Sequence, residues 1–68
     1  MTQEIKIAGH TLTVERSGDY LTVTAENHDF CRYVRVAGDF EPEEHTGIFT
    51  REWTEENEEE LWEAIRAL

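Results

Sequence analysis

IKIAGHTLTVERSGDYLTVTA, residues 5–25, carries the strongest structural pattern in the chain. Apolar residues alternate with polar ones, and Gly-containing turn signals fall at short, regular intervals, which is the pattern of antiparallel strands with one buried face. A two-residue turn at Gly9-His10 sets Ile7 against Leu12 and Ile5 against Val14, and a turn at Ser17-Gly18 sets Val14 against Leu21 and Leu12 against Val23. Both hairpins agree on which face is apolar. That agreement constrains the register, because a one-residue slip moves every side chain to the other face.

A third turn at His28-Asp29 places Val23 against Val34 and Leu21 against Val36. Four strands follow, at 4–8, 11–16, 20–26 and 30–37. The opposite face then carries Lys6, Thr13, Thr22 and Arg35 in one row and Thr11, Thr24 and Tyr33 in another, residues that suit a solvated pleated surface. Residues 38–47, GDFEPEEHTG, bring together the only proline, two glycines and four acids, the composition of an exposed loop. Residues 48–53 read either as a short extra strand or as the approach to a helix.

Thr54 is a good N-cap, and Glu55-Glu56 after it place negative charge where the helix dipole favours it. A helix over 55–67 is expected, with Leu61, Ile65 and Leu68 in a narrow arc flanked by Trp62 and Ala64. Glu56, Glu59, Glu60 and Glu63 centre on the other side. The sheet has one apolar face and the helix one apolar stripe, and each must be covered. The expected architecture is a two-layer α+β domain over residues 1–68: a four-stranded antiparallel meander sheet packed by one C-terminal amphipathic helix.

With 68 residues there is room for one thin core and no deep substrate cleft. Cys31 is the only cysteine, so no intrachain disulfide is available and a reducing, cytoplasmic setting is expected. The start MTQEIKIAGH lacks the pattern of an export signal. No apolar run approaches the ~20 residues of a membrane span, and a net charge of -10 is repelled by anionic lipid, so no membrane partner is expected.

The charge is unevenly placed. Residues 1–38 are nearly neutral, with five acids against four bases, whereas residues 39–68 hold eleven acids against Arg51 and Arg66. Glu58, Glu59 and Glu60, together with Glu55, Glu56 and Glu63, put like charges at i,i+3 and i,i+4, which repel by a few tenths of a kcal/mol per pair. Solubility and helix propensity explain some glutamates, but not a surface that tolerates so much repulsion; recognition of a basic partner does. The candidate partner-binding residues are Asp39, Glu41, Glu43 and Glu44 in the acidic segment and Glu55, Glu56, Glu59, Glu60 and Glu63 on the helix. Trp62 reads either as core or as an apolar anchor within that charged contact.

Other chemistry is weakly supported. His28-x-x-Cys31, with His10 and His45, supplies one pair of metal-ligand spacing where a structural zinc site needs two, so no metal or other cofactor is expected. A thiolate needs an electropositive setting that this chain lacks, and a general acid needs a desolvated pocket, so no catalytic residue is assigned and an enzyme ranks last. There is no phosphate-binding glycine loop and no basic patch, which disfavours direct binding of nucleic acid.

On the runs DFEPEE (39–44) and TEENEEELWEA (54–64), together with its length and charge, the chain resembles the small acidic inhibitors of phages and mobile elements, the anti-CRISPR and anti-restriction proteins that imitate a phosphate backbone. These inhibitors share no common motif, so no residue role carries over. The resemblance implies a basic host protein or nucleoprotein complex as partner, its Lys/Arg-lined channel occupied by carboxylates; the chain itself is expected to be a monomer or homodimer. The alternative is an acidic structural or regulatory interaction module, antitoxin-like and docking through the sheet, or a domain whose acidity reflects a salt-loving host.

Overall fold

A computed structural model describes residues 2–67. Five strands, β1 (Thr2–Ile7), β2 (His10–Ser17), β3 (Tyr20–Ala25), β4 (Phe30–Val36) and β5 (Asp39–His45), form one antiparallel sheet in the order β1-β2-β3-β4-β5. A helical turn, α1 (Ile48–Arg51), leads into the C-terminal helix α2 (Glu55–Arg66). The α+β meander with one C-terminal helix is as the sequence indicated, but the sheet has five strands and not four.

The fifth strand lies in the segment read as an acidic loop, residues 38–47. Ala37 and Gly38 both have positive φ, 54° and 88°, the backbone of a type I′ turn whose twist returns the chain as a hairpin. Val36 then pairs with Asp39, Arg35 with Phe40, Val34 with Glu41 and Tyr33 with Pro42. Pro42 is tolerated because β5 is an edge strand, and its acids discourage further strand addition there. A bulge at Glu43 shifts the register, so that Arg32 meets Glu44 and Cys31 meets His45.

The turns also move the expected registers. The first loop is Ala8-Gly9, both residues with positive φ, and it pairs Ile5 with Leu12 and Ile7 with His10. The second is Gly18-Asp19, with Val14 opposite Val23 and Leu12 opposite Ala25. Each differs from the expected register by two residues and leaves the apolar face unchanged. The third differs in kind. His28 N–H donates to Ala25 O at 3.0 Å, His28 has φ 73°, and Ala25 N–H donates to Asp29 O at 2.7 Å. This is a three-residue loop with a left-handed third residue. It pairs Val23 with Cys31 and Leu21 with Tyr33, a shift of three that turns β4 over. Cys31, Tyr33 and Arg35 therefore share the helix side, and Arg32, Val34 and Val36 lie on the open face. Tyr33 and Arg35 do not belong to the solvated rows expected for them.

The core consists of Ile7, Leu12, Val14, Leu21, Val23, Ala25, Cys31 and Tyr33 from the sheet, Ile48 and Phe49 from α1, and Leu61 from α2. α1 resolves the segment 48–53 as a helical turn that buries two side chains. The Asp29 carboxylate accepts from Ile48 N–H at 3.0 Å and ties α1 to the β3–β4 loop. Thr54 caps α2 as expected, its hydroxyl accepting from Asn57 N–H at 3.1 Å. Leu61 is fully buried, Trp62 and Ile65 pack against the core, and Leu68, the last residue of the expected stripe, lies outside the described residues.

Candidate functional site

Glu55, Glu56, Glu59, Glu60 and Glu63 are exposed on α2, and none is ion-paired with a described residue. They form one carboxylate surface along two and a half turns. The other predicted acids are placed elsewhere. Along β5, Phe40 points to the helix side, so Asp39 and Glu41 point away from it, and Glu44, paired across from Arg32, shares that open face. Arg32 bridges Glu44 at 3.1 Å and Glu43 at 3.6 Å, which offsets part of the strand's charge. The eleven carboxylates of the last thirty residues thus do not form one patch: the helix group and the strand group lie on opposite sides of the sheet.

Trp62 is half-buried and held from three directions. Its ring meets Tyr33 edge-on at 4.9 Å and stacks on Phe40 at 6.0 Å, and its Nε1–H donates to Glu58 Oε1 at 3.0 Å. These contacts make it part of the helix–sheet joint.

Glu58 is the residue that sequence reasoning misplaced among the repelling glutamates. Its carboxylate turns inward and accepts from Tyr33 Oη–H at 2.8 Å and Trp53 Nε1–H at 2.7 Å as well as from Trp62. The signal was present in the spacing. Seven residues at 100° each fall 20° short of two turns, so Glu58 lies on the same stripe as Ile65, and Leu61 and Trp62 follow it by three and four.

Beside Glu58, a recess of about 230 Å³ opens between β5 and α1, lined by Cys31, Tyr33, Pro42, His45 and Trp53 among others. Burial pushes the Cys31 thiol up to about 12, the neighbouring Tyr33 hydroxyl opposing part of the effect and the Glu58 carboxylate adding to it. Burial, then the neighbouring Cys31 and Glu58, likewise holds the Tyr33 hydroxyl protonated far above its ordinary range. Both groups are thus held in their protonated forms at neutral pH. His10 and the Thr11 N–H, by contrast, hold the exposed Glu26 carboxyl below its usual range.

Among the described residues no group of three or more His, Cys, Asp or Glu side chains is arranged to hold a metal ion, and no helix is long and apolar enough to cross a membrane. The fold and surface define a small α+β meander domain with a carboxylate-lined helix. Comparison with protein-family models, curated proteins and solved structures found no match.

Proposed function

We propose that this protein is a binding protein and not an enzyme, and that the outer face of α2 docks on a basic site of another macromolecule. A nucleic-acid-binding site on a host protein complex is the target that suits it best. The observation that carries this reading is the set of five unpaired glutamates, Glu55, Glu56, Glu59, Glu60 and Glu63, on one exposed helical surface. Repulsion within that set is a cost to the free protein which a cationic partner relieves. Asp39, Glu41, Glu43 and Glu44, lying on the other side of the sheet, serve as a second and separate contact.

The test is retention of host proteins from an extract at low salt. Wild type should retain a basic protein that is released by added salt, with affinity falling about tenfold or more between 50 and 200 mM. The variant with Glu56, Glu59, Glu60 and Glu63 changed to Lys should lose it. Equal retention by that variant overturns the proposal.

A second reading, a structural or regulatory module that docks through the sheet, is favoured by one feature. The face not covered by α2 carries Tyr20 and Val36, 44% and 47% exposed, beside the partly buried Phe30 and Val34. Under this reading Val36→Glu abolishes retention and charge reversal on α2 does not.

A further inference from the structure

Three of the six basic residues gather at one end of the helix–sheet joint. Arg16 extends from β2 past two intervening strands to place its Cζ 5.4 Å from the centroid of the Phe40 ring. Arg35, opposite Phe40 in the ladder, places its Cζ 5.1 Å from the same centroid. Arg66, in the last turn of α2, lines the concavity of about 400 Å³ that Arg16, Phe40, Trp62 and Ile65 also line, with Asp39 on its rim.

The chain has sixteen acids, yet none of these three guanidinium groups is ion-paired within 4.0 Å of a described carboxylate. Arginines that served only to cap the core edge would be free to swing toward one of the many glutamates. Here Arg16 and Arg35 are instead held over an aromatic ring, itself fixed by stacking on Trp62. A guanidinium held this way keeps its rigid fork of N–H donors at its rim, where an oxyanion is bound in bidentate fashion.

We propose that this shelf is a binding site for an organic phosphate, a phosphomonoester on a planar or apolar body. The phosphate sits among the N–H rims of Arg16, Arg35 and Arg66, and the body lies against Trp62 and Ile65. Arg66 also borders the concavity lined by Glu55, Glu59 and Glu63, so the positive charge that favours a dianion over a monoanion, and phosphate over carboxylate, comes chiefly from Arg16 and Arg35. The proposal does not rest on docking of the α2 glutamates, which as carboxylates repel a phosphate and line a separate concavity on the other side of Arg66.

The experiment is titration of the whole protein with phenyl phosphate at constant ionic strength, above about pH 7, where a phosphomonoester carries close to two negative charges. The readouts are the NMR signals of the arginine Nε–H groups and of Trp62 Nε1–H. Saturable shifts are expected at Arg16, Arg35, Arg66 and Trp62 and not at Arg51. Benzoate should bind at least about tenfold more weakly, a difference of ~1.4 kcal/mol.

The double variant Arg16→Ala/Arg35→Ala should lose about tenfold or more in affinity, with its circular dichroism spectrum confirming the fold. Arg66→Ala, at the exposed end of α2, provides a second reading of the same site. The conservative pair Arg16→Lys/Arg35→Lys should also bind more weakly, since lysine keeps the charge and loses the fork. Shifts that do not saturate, equal binding of benzoate, or unchanged affinity in the alanine variants would overturn the assignment.

Discussion

Replacing Glu58 should separate it sharply from the glutamates on either side of it. Its carboxylate accepts three hydrogen bonds, at 2.7, 2.8 and 3.0 Å, from two indoles and a phenol that join both helices to β4. Glu58→Ala leaves three part-buried donors without their acceptor. Each hydrogen bond to a charged group contributes about 1.5–3 kcal/mol, but water entering the half-open recess recovers part of that, so a net loss of about 2–4 kcal/mol is expected. A domain of this length has a total stability of roughly 3–10 kcal/mol, and each kcal/mol moves the melting temperature by about 4–8 °C. The variant should therefore melt at least about 10 °C lower. Glu58→Gln keeps one carbonyl oxygen for Tyr33 and Trp62 but turns an amide toward Trp53, with a smaller loss of about 1–2 kcal/mol. Glu59→Ala and Glu60→Ala, one and two residues along, remove exposed like charges and should change stability by less than about 0.5 kcal/mol. Thermal and urea denaturation of the four variants supply the comparison. Equal effects for Glu58→Ala and Glu59→Ala would show that the inward carboxylate does not anchor the joint.

Gly47 has φ 54°, and a Cβ there would run into the Asp29 carboxylate that receives the Ile48 N–H, so Gly47→Ala should destabilise by about 2 kcal/mol or more in urea titration. Ala8 and Ala37 each sit at φ 54° in the first position of a two-residue hairpin loop, where asparagine is favoured; Ala8→Asn and Ala37→Asn should each stabilise the fold by up to about 1 kcal/mol, read as a higher urea midpoint. The Cys31 thiol, raised by burial from 9.0 to about 12, stays neutral in the folded protein while it ionises in the unfolded chain. Its contribution is fully present below pH 9 and is lost as pH rises toward 12, so stability should decline across that alkaline window and less steeply in Cys31→Ala. At neutral pH the native thiol should react with iodoacetamide far more slowly than the thiol of the denatured protein, as followed by mass spectrometry.

Much of the fold was legible in the chain because it is written in local periods. The alternation in residues 5–25 fixed the apolar face of β1 to β3, since errors of two residues in the turns leave the face unchanged. Thr54 and the stripe of Leu61 and Ile65 fixed α2 in the same way. The β3–β4 loop was not legible, because a two-residue and a three-residue turn are both compatible with Glu26 to Asp29, and their difference, being odd, inverts a strand. Acidic composition likewise hid β5, whose inward residues are only Phe40 and Pro42 before the bulge.

For the candidate site, the acidity of the last thirty residues and the outer helical face centred on Glu56, Glu59, Glu60 and Glu63 could be read from the chain, because charge and the 100° helical step are properties of the chain alone. That the acids of β5 lie on the other side of the sheet, that Glu58 faces two tryptophans and a tyrosine, and that Arg16 and Arg35 meet over Phe40 could be seen only once sheet and helix were packed together. The physical reason is the same in each case. Which side of a sheet a residue occupies depends on loop parity, and which partners it meets depends on how the two layers stack. Neither is carried by the neighbours of that residue in sequence.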